Sequence, residues 1–228
     1  MVSNTTNPSA NSSGRFKNAN LVQAWLILLL ALLFGSALAA VQVQLSDKIA
    51  ANKLNEALSQ VPALIWGESE AGRSEPTGSI KITPGSVVVD KNGKPTPYNV
   101  YRVAQNDRLK GWVIKATGQG YGDKLELLIG SDADLKKLTG LYVLEQKETP
   151  GLGAKIITPE WRSQFVGKIT DVPLQVVKGG QRGAAAIDAI TGATISSRSV
   201  TTIVNATMSS LKGHLNADGK GFSERSMP

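Results

Sequence analysis

The longest apolar stretch of the chain lies close to its N-terminus. Residues 21–43 carry no charged side chain and consist mostly of Leu, Ala, Val and Ile. About 20 apolar residues are enough for a helix to cross the hydrocarbon core of a bilayer, so the pattern predicts one transmembrane helix. The sequence Ala-Leu-Ala at residues 37–39 leaves a cleaved signal peptide as an alternative, although the run is longer than the roughly 7–15 residues of a signal core.

The segments on either side of this stretch are polar. Residues 1–20 are rich in Ser, Asn and Thr and predict a disordered tail. Arg15 and Lys17 precede the apolar run, which predicts a cytoplasmic N-terminus and an exported remainder. Residues 44–66 place Leu and Ile at helical spacing, so they predict a helical stalk, which we expect to end shortly before Pro62.

From residue 67 onward, short apolar runs alternate with turn signals. We expect a loop at 67–77 and strands at 79–83, 86–89, 99–104, 112–117, 124–129, 140–146 and 172–177. Short helices are expected near Asp132 and Pro159, and a longer amphipathic helix is expected at the residues that follow Thr194. Many strands with few, segregated helices predict an α+β domain over residues 67–228, with a mostly antiparallel sheet and flanking helices.

The residue content excludes several kinds of site. Cysteine is absent, which excludes disulfides, thiolate metal sites, cysteine-ligated iron–sulfur clusters and cysteine nucleophiles. His214 is the only histidine, and with one His and no Cys we expect no zinc or haem site within this chain. The formal net charge is +7, but basic residues do not cluster with aromatic ones, so we expect no nucleic-acid partner. The positive charge suits a protein beside an anionic membrane.

Two short patterns resemble enzyme motifs but lack the required context. The glycines at 118, 120 and 122 are spaced as in a dinucleotide-binding loop, yet a strand pattern follows them where a helix is needed. They predict a tight turn, and Tyr121 at its tip is placed to stack on a cofactor ring. Ser209 and Lys212 match a Ser-x-x-Lys pattern, but the companion elements of that hydrolase family are missing.

Two other stretches carry the candidate chemistry. Residues 191–196 read TGATIS and enter the amphipathic helix, so their N–H groups and the helix dipole favour a phosphate. The alternative is that Thr194 and Ser196 only cap the helix. Residues 148–153 read ETPGLG, in which Pro and Gly fix an unusual backbone path beside Glu and Thr. The alternative there is an ordinary loop between strands.

Together, ETPGLG and TGATIS resemble the paired signatures of the FMN-binding domain family. Within this family the chain resembles the G subunit of the Rnf electron transport complex, to which the C subunit of the sodium-translocating NADH:quinone reductase is related. The resemblance implies that Thr194 carries FMN as a phosphoester, attached by a separate flavin transferase. Relatives often have His where this chain has Gln146, so any role that an imidazole group has at this position in the relatives does not carry over to this chain. No role follows for Asp188.

The resemblance also implies a set of contacts around the flavin. Thr149 and Leu152 are expected to touch the ring, with Tyr121 and Trp161 as further candidates, and Lys155 is expected either to stabilise reduced flavin or to face solvent. Gly192 and Ala193 are expected to leave room for the transferase, and the hydroxyl groups of Ser196 and Ser197 are expected to receive the phosphate. The full expected set is Thr191, Gly192, Ala193, Thr194, Ser196, Ser197, Glu148, Thr149, Gly151, Leu152, Lys155, Tyr121 and Trp161.

The implied function is electron transfer within a membrane complex. The chain is expected to be a subunit of an Rnf-type ion-translocating complex that exchanges electrons between ferredoxin and NAD or a related acceptor. Its other membrane subunits and a flavin transferase are the expected partners. The expected location is the plasma membrane, with the domain on the periplasmic side. A component of the quinone reductase and a non-redox anchored scaffold remain as alternatives, and the chain alone is not expected to be a complete enzyme.

Overall fold

The computed structural model describes residues 13–67, 79–91, 93–180, 183–216 and 218–224. The chain divides into two compact units, Met1–Asn52 and Lys53–Pro228. Helix α1, Ser13–Trp66, begins inside the segment that we predicted as disordered, and residues 1–12 of that segment lie outside the described residues. The helix extends back to Ser13 because propagation gains one hydrogen bond per residue once a helix exists.

The first unit contains the apolar part of α1. Its large side chains are exposed, from 44% at Ile49 to 75% at Leu38. The most apolar window of the helix has a mean hydropathy of 2.5 and none of it is buried, so it is long and apolar enough to cross a membrane. The predicted N-terminal apolar helix is therefore confirmed.

In the second unit, five long antiparallel strands form a meander. They are β1 Ile80–Lys91, β2 Lys94–Gln105, β3 Arg108–Gln119, β4 Lys124–Asp132 and β5 Leu138–Glu145. The short strand β8, Ser223–Glu224, pairs with β1, and the sheet order is β5-β4-β3-β2-β1-β8. The strands predicted at 79–83 and 86–89 form one strand, β1, with Pro84 between them. A proline is tolerated there because β8 pairs only with Gly85 and Ser86, so the missing N–H of Pro84 breaks no hydrogen bond to β8.

The helices and short strands follow the meander. Helix α2, Pro159–Arg162, lies between two 3₁₀ turns, Gly153–Ile157 and Ser163–Phe165. A parallel pair, β6 Gln175–Val177 and β7 Ala186–Asp188, then leads into helix α3, Thr194–Leu211. The α+β prediction with a mostly antiparallel sheet is confirmed, while the three-residue β7 is too short to have a recognisable pattern.

The short helix predicted near Asp132 was wrong. A turn occupies this position, and the carboxylate of Asp132 accepts the backbone N–H groups of Lys136 at 2.7 Å and Lys137 at 3.0 Å. Leu135 has a φ of 58°. Aspartate favours such local bonds over a helix, because its side chain competes with the helical carbonyls for the same N–H groups.

Both faces of the sheet are covered within the second unit. On one face, α3 packs against β3 and β1, and its apolar residues belong to the same core as Ile114, Leu125 and Leu127 of the sheet. On the other face, the end of α1 packs Ala57, Val61 and Leu64 against Tyr101, Val103, Val113 and Leu128. Residues 53–66, which we predicted as stalk, thus belong to the same unit as the sheet. The packing also explains why α1 continues past Pro62, because tertiary contacts override the local preference to stop.

A buried carboxylate ties this end of α1 to the sheet. Glu126 in β4 lies 2.9 Å from the ammonium groups of Lys115 and Lys124 and 3.6 Å from that of Lys53. Burial raises the pKa of Glu126, but the hydrogen bonds and charges of Lys124 and Lys115 outweigh burial and lower the pKa from 4.5 to about 2. The carboxylate therefore stabilises the fold in its ionised form.

This pKa predicts acid sensitivity. A carboxyl group with a lowered pKa stabilises the folded state fully above its unfolded pKa of 4.5, and the contribution is lost as the pH falls through about 2. We expect Glu126→Gln to lower the free energy of unfolding at pH 6, and the difference from wild type to shrink between pH 4.5 and pH 2. Urea unfolding of the full chain in detergent across this range measures the difference. A difference that does not change with pH would contradict the assignment.

Candidate functional site

The two sequence motifs meet at the buried carboxylate of Glu148. Its Oε1 accepts the backbone N–H groups of Tyr121 at 2.8 Å and Gly122 at 3.2 Å. Its Oε2 accepts the hydroxyl of Ser196 at 2.6 Å. Glu148 is 4% exposed, so these charge-assisted bonds are shielded from water. One side chain thus joins the turn after β3, the ETPGLG loop and the first turn of α3.

Glycine makes this approach possible. A Cβ on Gly120 would lie 2.3 Å from Glu148 Oε1, and a Cβ on Gly153 would lie 2.9 Å from Glu148 Oε2 and 2.7 Å from Ser196 Oγ. The Gly118-x-Gly120-x-Gly122 turn is therefore a turn between two strands, as predicted, and its backbone approaches the second motif closely.

The buried side chain of Ser197 stabilises the turn before α3 through two hydrogen bonds. Its hydroxyl accepts the N–H of Ile190 at 3.1 Å and donates to the carbonyl of Ala193 at 3.1 Å. Gly192 has a φ of +80°, a conformation that glycine adopts without strain. The N-cap residue of α3 is Ala193, which makes no side-chain cap bond. The helix therefore presents its first N–H groups without a side-chain cap, and neither Thr194 nor Ser196 caps it.

An open pocket of about 510 Å³, which we call the Thr194 pocket, lies where these loops meet. Half-buried Thr194 lines it at the start of α3, and exposed Leu152 and Tyr121 line it from the other two loops. Its complete lining is Tyr121, Thr149, Leu152, Gly153, Lys178, Gly192, Ala193, Thr194, Ile195 and Ser196. This volume is within the range of small-molecule pockets, about 300–1,000 Å³.

Several predicted site residues lie elsewhere. Trp161 is buried, packs edge-on against Phe165 and donates its indole N–H to the carbonyl of Asp188 at 2.9 Å, so it belongs to the core. Ser197 is fully buried with its hydroxyl occupied, so it holds the turn and does not face the pocket. Glu148 is also buried and does not line the pocket, and its hydrogen bonds connect the loops around it. The remaining residues outside the lining are Thr191, Gly151 and Lys155.

Sequence reasoning missed Lys178, Gly153 and Ile195 among the pocket residues. Lys178 follows β6 and is the cation of the lining, a role that the sequence suggested for Lys155. No motif surrounds Lys178. Its position depends on the pairing of β6, which the strand predicted at 172–177 contains, with β7, which the sequence did not predict. The spacing of Ile195 fits the apolar face of the helix, but its side chain is 53% exposed beside the pocket.

Replacement of Gly153 tests the close contact between the motifs. We expect Gly153→Ala to destabilise the domain by about 1–3 kcal/mol, because the new methyl group would overlap Ser196 and Glu148 in a packed region. Thermal unfolding of the full chain followed by circular dichroism measures the loss. The matched control is Gly183→Ala, whose Cβ would lie 3.5 Å from Ala186 in ordinary contact. Equal unfolding temperatures for the two variants would contradict the geometry.

Comparison with known proteins identifies the region that contains the site. Residues 120–209 match the model of the FMN-binding domain family. The G subunit of the ion-translocating oxidoreductase complex of Methanosarcina acetivorans is 39% identical over 49% of this chain and 57% of the relative. The G subunit of the Na(+)-translocating ferredoxin:NAD(+) oxidoreductase complex of Acetobacterium woodii is 42% identical over 46% and 51%. The C subunit of the Na(+)-translocating NADH-quinone reductase of Vibrio alginolyticus is 31% identical over 54% and 50%.

The aligned part spans about half the length of these curated relatives. Two solved structures share the fold. NqrC of Shewanella oneidensis has a TM-score of 0.57 at 18% identity, covering 72% of this chain and 95% of that one. The C subunit of the Na(+)-translocating NADH-quinone reductase of Parabacteroides distasonis has a TM-score of 0.53 at 22% identity, covering 74% and 94%. Both sequence motifs lie inside the matched region, so the predicted resemblance to the FMN-binding domain family is confirmed over residues 120–209.

Proposed function

We propose that this chain is an electron-carrying subunit of an Rnf-type ion-translocating complex, with FMN bound covalently through its phosphate to Thr194. The observation that carries the proposal is the position of Thr194, at the uncapped start of α3 and in the lining of a pocket formed by both family motifs. When bound, FMN supplies one-electron and two-electron transfer, while the protein supplies its position and its electrostatic surroundings.

The start of α3 suits the phosphate. The positive end of a helix dipole and its free N–H groups favour an anion within the first turn. Lys178 adds a formal positive charge in the same pocket, and none of the described residues that line it is a carboxylate. The phosphodiester that joins Thr194 to FMN would keep one negative charge, which these groups are placed to balance.

The pocket walls suit the flavin ring. Leu152 is 44% exposed and Tyr121 is 62% exposed, so both present apolar surface to solvent at the pocket. Burial of that surface against a flat aromatic ring is favourable, at about 25 cal/mol per Å². Thr149 offers a hydroxyl for the polar edge of the ring. Gly192 keeps the approach open, since a Cβ there would meet Leu152 at 3.0 Å.

Among the residues that the structure describes, no carboxylate or imidazole lines the Thr194 pocket as a base for the threonine hydroxyl. We propose that a flavin transferase supplies this base and uses a flavin dinucleotide. A bond from Thr194 Oγ to the flavin phosphorus would form, the phosphoanhydride bond to the nucleotide would break, and the hydroxyl proton would pass to the transferase. The exposed residues on both sides of Thr194, Gly192 and Ile195, leave this turn accessible to such an enzyme.

The remaining assignments concern the assembly. The apolar part of α1 would anchor the protein in the plasma membrane, with its N-terminus in the cytoplasm and the flavin domain outside. The other membrane subunits of the complex would be its electron-transfer partners. Identities of 39% and 42% to two G subunits, against 31% to a C subunit, favour an Rnf-type complex over a quinone reductase.

Co-expression with a flavin transferase tests the proposal. We expect the full chain to retain flavin fluorescence on a denaturing gel, because a phosphoester survives unfolding and a non-covalent cofactor does not. Expression without the transferase provides the control and should give no fluorescent band. A wild-type band without flavin after co-expression would favour the non-redox scaffold instead.

A further inference from the structure

A second groove shares Ile195 with the Thr194 pocket. It has a volume of about 450 Å³ and runs between α3 and strands β1 to β3. We call it the Arg198 groove. Its main lining residues are Lys91, Tyr98, Ile195, Arg198, Thr202 and Ile203. Neither the family motifs nor the proposed flavin contacts include its charged residues.

The charges of the Arg198 groove are all positive. Lys91 lines it from the sheet and Arg198 from the helix, and its lining within the described ranges includes no carboxylate. The ammonium group of Lys91 lies 5.0 Å from the centroid of the Tyr98 ring. In the part of the chain that the structure describes, no carboxylate forms an ion pair with either cation. Two cations that face one concavity without a counter-charge attract an anion.

The rest of the lining indicates what kind of anion fits. Ser199 and Thr202 add hydroxyl groups on the helix side, next to Arg198. Ile195 and Ile203 form an apolar wall, and Ile195 is 53% exposed. A guanidinium group binds phosphate through paired N–H donors, while an ammonium group adds a point charge. The volume exceeds that of a bare inorganic ion and is typical of small-molecule sites.

We propose that the Arg198 groove binds a small phosphate ester, with the phosphate between Lys91 and Arg198 and the organic body against Ile195 and Ile203. This site is distinct from the Thr194 pocket and does not depend on flavin attachment. The ester has two possible sources, a soluble nucleotide and the headgroup of an anionic lipid, and both present the same phosphate chemistry to the groove.

Equilibrium dialysis of the full chain in neutral detergent tests the proposal. AMP represents a soluble nucleotide, glycerol phosphate represents a lipid headgroup, and adenosine lacks the phosphate. We expect saturable binding of AMP, of glycerol phosphate, or of both, and much weaker binding of adenosine. The loss of one charge-assisted bond corresponds to about a tenfold change in affinity, so Arg198→Gln and Lys91→Gln should each weaken binding about tenfold. Binding should also weaken as salt rises.

The matched control is Lys110→Gln, which removes an exposed cation of β3 that does not line the groove. We expect it to bind like wild type. Tighter binding of AMP would identify a soluble nucleotide as the source, and tighter binding of glycerol phosphate would identify a lipid headgroup. The proposal would be overturned if neither ester bound saturably, if adenosine bound as tightly as AMP, or if both groove variants bound like wild type. Flavin fluorescence on a denaturing gel reports separately on Thr194.

Discussion

Thr194→Ala is expected to lose all covalent flavin when it is co-expressed with a flavin transferase. The substitution removes the hydroxyl group that would bond to phosphorus, and the two hydroxyl residues that follow it in α3 are not available to replace it. Ser196 points its hydroxyl at Glu148, 2.6 Å away, and Ser197 is fully buried beneath the turn. Fluorescence of the denatured protein band, normalised to protein, measures the loss.

Two further variants make this result specific. Thr194→Ser keeps the hydroxyl group and is expected to retain flavin, since only a methyl group is lost. Ser210→Ala lies in the same helix, where its hydroxyl bonds only to the carbonyl of Ala206, and it should retain the wild-type amount. Retention of flavin by Thr194→Ala would place the attachment at another residue, whereas loss in Ser210→Ala would indicate a general folding defect.

Glu148→Ala is expected to have the largest effect on stability. It removes the acceptor of two partly buried backbone N–H groups and of the buried Ser196 hydroxyl. A hydrogen bond to a charged group contributes about 1.5–3 kcal/mol, so we expect a loss of roughly 3–5 kcal/mol. For a chain of this size that corresponds to a decrease of about 10 °C in the unfolding temperature. Flavin attachment should fall as well, because Glu148 holds the two motifs together.

Glu148→Gln keeps the size of the side chain and its ability to form hydrogen bonds, and removes only its charge. The amide oxygen of Gln can accept the N–H groups of Tyr121 and Gly122, and its amide nitrogen can donate to the Ser196 hydroxyl. We therefore expect a loss of only about 1 kcal/mol, from weaker uncharged bonds. Thermal unfolding of the two variants side by side measures the difference. Equal losses in both would show that the hydrogen-bond network does not determine the stability of this site.

The fold was predictable where a single pattern dominates. The apolar run of residues 21–43 has one plausible structure, and the alternating runs identified the strands of the meander. The docking of residues 53–66 on the sheet was not predictable, because helical spacing alone does not distinguish a stalk from a helix packed on a sheet. The turn at Asp132 was missed for a related reason, since its side-chain bonds to Lys136 and Lys137 compete with a helical pattern.

The two motifs located the candidate site in the sequence, but they did not predict how its residues are arranged. The resemblance pointed to Thr194, Thr149 and Leu152, which the structure brings to one pocket. It did not separate residues that line the pocket from those that support it, such as Ser197 and Glu148. Lys178 was missed because a cation in a glycine-containing loop has no periodic pattern, and only the folded chain places it beside the start of α3.

Attachment of FMN to Thr194 is tested most directly by mass spectrometry of the tryptic peptide 183–198 from protein co-expressed with a flavin transferase. This peptide contains four hydroxyl residues, Thr191, Thr194, Ser196 and Ser197. With FMN bound to Thr194, the peptide gains the mass of FMN less one water, and fragmentation assigns the added mass to Thr194. An unmodified peptide, or flavin on any of the other three residues, would show that Thr194 does not carry the flavin.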